Sequence, residues 1–132
     1  MIGVDTNVLL RFLVVDDPDQ NRAAANFFAA RTAEDPAFIS ALALAETVWL
    51  LMRRMNYPAE AVIEVLRKLL AAESIAVEHA EELGMLVFDE DPPVSDLADF
   101  LIAWAGKRSG CSSSVTFDKR AARTVPGMEL LS

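Results

Sequence analysis

Residues 1–13 read MIGVDTNVLLRFL. Ile2-Gly3-Val4 is an apolar run too short for a helix, and it ends on Asp5-Thr6-Asn7, residue types that cap helices. The helix they would cap runs from Val8 to Val14. A short buried strand running straight into a capped helix is the building block of a parallel sheet, because each strand needs a helical crossover before the next can run alongside it.

The same grammar repeats outward along the chain. Asp16-Asp17-Pro18 starts a second helix, with Pro18 near the first helical position, and Asp35-Pro36 closes it. Ala37–Ile39 is a strand, and Ser40 caps an apolar helix running to about Met55. Pro58 opens a helix with Val62, Val65, Leu66 and Leu69 as its buried stripe. Ser74–Val77 is a third strand, followed by a helix over Glu78–Phe88. After the Asp91-Pro92-Pro93 loop, Ser95 caps a helix to about Ser109. Ser113–Phe117 and Met128–Leu131 are the fourth and fifth strands. This alternation predicts an α/β protein, a three-layer α/β/α sandwich on a mainly parallel central sheet of four to five strands. With no repeat, low-complexity segment or linker, residues 1–132 are expected to form a single domain.

Composition removes several chemistries. The chain has 132 residues, 53% of them hydrophobic and 24% charged, the balance of a globular domain. One cysteine, Cys111, allows no internal disulfide and no multi-cysteine zinc site, and one histidine, His79, allows no multi-histidine metal site. The five glycines are scattered and form no phosphate-cradling loop. No apolar run reaches membrane length, and the start lacks a basic leader segment, so a soluble, cytoplasmic protein is expected. Twenty acidic residues against twelve basic give a net charge of −8. Such a chain repels phosphate in general, so a nucleic-acid function requires local basic patches or a cation held by carboxylates.

Three acids stand where acids are costly. Asp5 ends an apolar strand. Glu46 sits in ALALAETVWLLM, residues 41–52, where only Thr47 is also polar. Asp99 is the only polar side chain in LADFLIAWAG, residues 97–106. Neither Glu46 nor Asp99 has a basic residue one turn away, and helices apolar all round are usually buried. One reading gives each acid an ordinary role: a distant arginine, the cap for Asp5, the helix dipole for Asp99. The other gathers them at the carboxyl ends of the strands, where parallel α/β sheets carry their sites, together with Asp118 after strand four and Asp96 one turn before Asp99. Gathered carboxylates repel unless cations join them. Mg²⁺ takes oxygen ligands, and metal-activated water cleaves phosphodiesters without a histidine, cysteine or serine nucleophile.

MIGVDTNVLLRFL, Glu46 in an alanine- and leucine-rich helix, DLADFLIAWAGKRSGC, VTFDKR and a closing PGMELL together resemble the PIN domain, and most of all the VapC toxins of bacterial toxin–antitoxin pairs. The resemblance covers nearly the whole chain in order. It implies an α/β/α metal-dependent ribonuclease using Mg²⁺ or Mn²⁺. Asp5, Glu46 and Asp99 match the core acids, Asp118 the fourth, and Asp96 a frequent extra acid. Asn7 and Thr116 match supporting polar positions. The resemblance further implies an RNA substrate, a cognate antitoxin and a homodimer.

Other residues carry weaker expectations. Lys119, Arg120 and Arg123 follow Asp118 and are candidates for phosphate contact, as are Arg53-Arg54 and Lys107-Arg108; a solvated face is the alternative for each. Arg11 is a candidate for phosphate or for a structural pairing. His79 is expected on an exposed helix face and Cys111 at the start of a buried strand. Trp49, Trp104, Phe27, Phe28 and Phe100 are expected in the core. Competing functions are an acidic module that binds a basic peptide and a small haloacid-dehalogenase-like phosphatase. The phosphatase is disfavoured because its second motif aspartate is Asn7 here.

Overall fold

The computed structural model describes residues 1–131; Ser132, the last residue of the expected domain, lies outside the described residues. Among the described residues there are seven α-helices and five short strands, and every strand pairing is parallel. The mixed α/β class and the parallel sheet expected from the sequence are both present. The ladders, however, close over two sets of strands, three in one sheet and two in another, where one sheet of four to five strands was expected. The chain divides into two compact units, Met1–Pro92 and one beginning at Pro93.

The first unit runs β1 (Ile2–Gly3), α1 (Thr6–Leu13), α2 (Pro18–Ala29), β2 (Ala37–Ile39), α3 (Ala41–Trp49), α4 (Ala59–Ala71), β3 (Ile75–Val77) and α5 (Ala80–Val87). Its sheet order is β1-β2-β3, with Ile2 opposite Ala37 and Ala37 opposite Ile75. Leu9, Ile39, Leu44, Leu51, Val62, Leu66, Leu83 and Val87 are buried almost completely. Each such aliphatic side chain contributes roughly 1.5–3 kcal/mol by leaving water. Phe28 joins α1 to α2, its ring 4.4 Å from that of Phe12.

Helix starts in this unit follow their sequence signals. Asp17 accepts from the Gln20 amide and Ser40 from the Ala43 amide, each satisfying an orphan donor of its helix. Glu78, just past β3, accepts from the Ala41 amide at 2.7 Å and so ties the end of one strand to the start of the helix after another. α3 continues into a π-helical stretch, Leu50–Arg54, capped by Met55, and Asn56 just after it has a positive φ of 55°.

The second unit has a 3₁₀ turn at Val94–Asp96, then α6 (Leu97–Arg108), β4 (Ser114–Thr116), α7 (Lys119–Thr124) and β5 (Met128–Leu130). β4 pairs with β5, Ser114 opposite Met128. Gly106 lets α6 approach β4 closely: a Cβ there would lie 2.8 Å from the Ser114 hydroxyl. Ser95, expected to cap α6, lies inside the 3₁₀ turn, and Asp96 is the cap residue without a side-chain cap bond.

Several expectations about burial are corrected, beginning with β1, expected buried but exposed at both Ile2 and Gly3. His79 is buried, because it takes a left-handed conformation, φ 60°, as the N-cap of α5 and turns inward. Cys111 is exposed and precedes β4 in a loop. Trp49 is 56% exposed and lies outside the core. Phe28 and Phe100 are buried as expected, while Phe27 and Trp104 are half-buried.

Candidate functional site

In the first unit the acids follow directly from the β1–α1 junction. Asp5 ends the strand and is the N-cap of α1 in an extended conformation, φ −78° and ψ 156°, yet its side chain makes no capping hydrogen bond. Its carboxylate is exposed. The next side chain, Thr6, is buried, and its hydroxyl donates to Glu46 Oε1 at 3.0 Å. That bond ties the first turn of α1 to the middle of α3 and fixes the position of one Glu46 oxygen. Thr6 was read from the sequence only as part of a cap. The polar run Asp5-Thr6-Asn7 after a strand was the signal that it could do more.

Glu46 itself departs from expectation. It is exposed, as are Leu42 and Trp49 on the same side of α3 at helical spacing. The buried polar residue of this helix is Thr47, whose hydroxyl donates to the Ala43 carbonyl at 2.7 Å. The cost of a buried unpaired carboxylate therefore does not arise at Glu46: one of its oxygens has a threonine partner and the side chain reaches water.

Asp5 and Asn7 help to line a cavity of about 580 Å³ with Val8, Arg11, Gln20 and Phe27. Arg11 is structurally paired there. Its guanidinium donates to both oxygens of Asp16 at 2.9 Å and also to Gln20, while the Asn21 amide donates to the Arg11 carbonyl. Of its two sequence readings, the structural pairing is the one with geometry behind it.

In the second unit three aspartates interact. Asp99 lies in the first turn of α6 and is half-buried. Burial raises its carboxyl above the usual aspartate value, and the negative charges of Asp118 and then Asp96 raise it further. Asp96 accepts from the Arg120 guanidinium at 3.2 Å, so part of its charge is answered. Asp118 is the N-cap of α7, its Oδ1 accepting from the amides of Arg120 and Ala121 at 2.8 and 3.1 Å. Thr116 supports it directly, its hydroxyl accepting from the Asp118 amide at 3.0 Å. Lys119 and Arg123 are exposed on α7.

Among the described residues, no three His, Cys, Asp or Glu side chains are drawn tightly enough together to enclose a metal ion. The donors are nonetheless all carboxylate oxygens, the ligands hard divalent cations take. The upward push on Asp99 comes first from burial, and the smaller part from Asp118 and Asp96 is one a cation would relieve. On the chemistry of the donor set, the residues fit a divalent metal. No described helix is long and apolar enough to cross a membrane.

The sequence profile of the PIN domain fits residues 2–125 of the chain. That span includes Asp5, Asn7, Glu46, Asp96, Asp99, Thr116 and Asp118. No curated protein sequence matches the chain.

Proposed function

The chain belongs to the PIN-domain family, and from that membership we propose that it is an endoribonuclease serving as the toxin of a toxin–antitoxin pair. PIN domains are in general metal-dependent nucleases, and the match across residues 2–125 is the observation that carries the reading. The finer assignments are ours. Residues 1–132 act as one domain in the cytoplasm. Asp5, Glu46 and Asp99 hold Mg²⁺ or Mn²⁺, with Asp118 as fourth ligand and Asp96 as an additional acid.

When bound, the cation supplies water activation and neutralises charge that develops on the cleaved phosphodiester. The chain's own residues prepare for this in separable ways. Thr6 orients Glu46 by holding one of its oxygens. Asp5 keeps its carboxylate out of the α1 cap, so it is available to a ligand. Asp99, half-buried in the first turn of α6, offers the cation a carboxylate held in place by the helix. Asn7 supports the site beside Asp5, and Thr116 fixes the backbone at Asp118. Lys119, Arg120 and Arg123 give the substrate backbone a local basic surface in an acidic chain.

The test is incubation of the purified protein with total RNA in Mg²⁺, Mn²⁺ or chelator, followed by sequencing of the cleavage ends. Discrete cuts that need the metal support the reading; intact RNA under all three conditions opposes it. The toxin assignment has its own test, since it implies an antitoxin and a homodimer. Co-expression with the product of an adjacent small gene should suppress cleavage, whereas an active nuclease that no neighbouring product binds or inhibits removes the toxin role alone.

A further inference from the structure

We propose that Phe117 is a stacking platform for a base of single-stranded RNA, placed beside Asp118 to set where the strand lies. The proposal rests on the ribonuclease reading above and assigns a residue which that reading leaves unused.

Phe117 is 79% exposed, the most exposed large apolar side chain among the described residues. Most of the other aromatics pack within the fold, and Trp49, 56% exposed, lies on α3 in the first unit. Phe12, Phe27 and Phe28 pack together, and Phe100 packs with Trp104. The next most exposed phenylalanine, Phe88, lies under the Arg67 guanidinium, 5.4 Å from its ring centroid.

The backbone on both sides of Phe117 is fixed. Before it, Thr116 is paired with Leu130 in the β4–β5 ladder, and the Leu131 amide donates to the Thr116 carbonyl at 2.8 Å. After it, the Asp118 amide donates to the Thr116 hydroxyl, and the Asp118 carboxylate holds the first turn of α7. A ring carried on a one-residue link between two anchored segments is presented at a defined position. Pre-organisation of this kind lowers the entropy lost on binding.

Val115 and Leu130 on the same ladder, and Leu131 just after it, are also exposed, and it is the cations following Phe117 that favour a nucleic acid over an apolar protein partner. Residues 117–123, FDKRAAR, carry three cations against the single acid Asp118, in a chain whose net charge is −8. Arg120 is engaged with Asp96, while Lys119 and Arg123 are exposed at i, i+4 spacing on one side of α7. An exposed aromatic ring flanked by cations is the combination that binds single strands, with bases stacking on the ring and phosphates meeting the cations. Every base has a π-face, so the contact tolerates sequence variation and sets position more than identity.

The test is fluorescence anisotropy of labelled single-stranded oligoribonucleotides with the full chain in chelator, where binding is read without cleavage. Phe117→Ala should weaken binding about tenfold or more, and Phe117→Trp should retain parental affinity. Within a series of oligoribonucleotides that each lack one base, one member should bind the parent about tenfold more weakly while gaining no further weakness from Phe117→Ala. Equal affinity of parent and Phe117→Ala would overturn the proposal. So would a change in oligomeric mass by light scattering with RNA affinity unaltered, which makes the ring a protein contact. A parent that binds and cleaves no RNA defeats the ribonuclease reading and this proposal with it; a parent that cleaves, with Phe117→Ala binding equally well, defeats the stacking alone.

Discussion

Asp5 and Asp118 occupy matching places in the two units. Each follows a parallel strand, and each is the N-cap of the next helix with an extended backbone. Their carboxylates are used differently. Asp118 accepts from two amides of α7, while Asp5 makes no cap bond to α1. The helices explain the difference. α7 has six residues with only Ala121 buried, too short to hold without its cap. α1 has eight residues and buries Thr6, Leu9 and Leu10, so packing holds its first turn and leaves the aspartate side chain free of that task. One sequence pattern, strand-Asp-helix, thus yields an aspartate that caps its helix in one place and one that does not in the other.

The sharpest way to break this contrast is to neutralise each acid and compare activity with stability. Asp5→Asn should lower RNA cleavage by more than the roughly 10–100-fold that loss of an outer-shell metal partner costs, with melting in chelator unchanged. A variant that still cleaves at the parental rate would show that Asp5 is no part of the site. Thr6→Val comes next. It removes the hydroxyl that holds Glu46 while keeping the shape, and should weaken metal binding by calorimetry roughly 10–100-fold. Unchanged affinity would mean that Glu46 needs no orientation from α1.

Smaller effects separate the two caps. Asp118→Ala removes a working cap and should cost about 1 kcal/mol in chelator, a melting shift of about 2–5 °C. Asp5→Ala should stay within about 0.5 kcal/mol under the same conditions. Equal losses would erase the distinction between the two aspartates.

The smallest expected effect is on pH dependence. The folded-state pKa of Asp99 is raised by burial and by its acidic neighbours. Its ionised form therefore costs stability above that range, and the cost disappears as pH falls through it. Asp35 has the opposite sign. It is held low first by its hydrogen bond from the Met1 ammonium and further by the charges of that ammonium and of Arg31. What Asp35 contributes is present above the ordinary carboxylate range and lost as pH falls through its lowered value. In chelator, Asp99→Asn should therefore melt slightly above the parent near pH 7, and the gap should close toward about pH 4. Asp35→Asn should instead melt below the parent near pH 7.

Much of this was readable in the chain. β2 falls on Ala37–Ile39 as expected, and the caps at Asp17 and Ser40 act as such, because turn and cap chemistry is local. The exposed face of α3 was not readable. Leu42, Ala45 and Trp49 are as apolar as the opposite, buried face, so periodicity gives no contrast, and Glu46 was placed in the interior by its neighbours when it lies in water. The inward turn of His79 depends on a left-handed backbone at a non-glycine residue, which composition does not signal. The Thr6–Glu46 bond joins residues forty positions apart, beyond any local pattern. Asp96 was placed beside Asp99 from spacing and Asp118 from its position after a strand, but the engagement of Asp96 with Arg120 was not anticipated.

The claim that these carboxylates serve a divalent cation is tested most directly by melting the parent and Asp99→Asn, each in chelator and in excess Mg²⁺. If the claim holds, Mg²⁺ raises the melting temperature of the parent by mass action, since only the folded chain binds it. Asp99→Asn then melts at or slightly above the parent in chelator, because one of three repelling charges is gone, and gains little from Mg²⁺. A parent indifferent to Mg²⁺, with Asp99→Asn strongly destabilised in chelator, would contradict it, making Asp99 one half of a structural pair and leaving the metal without a site.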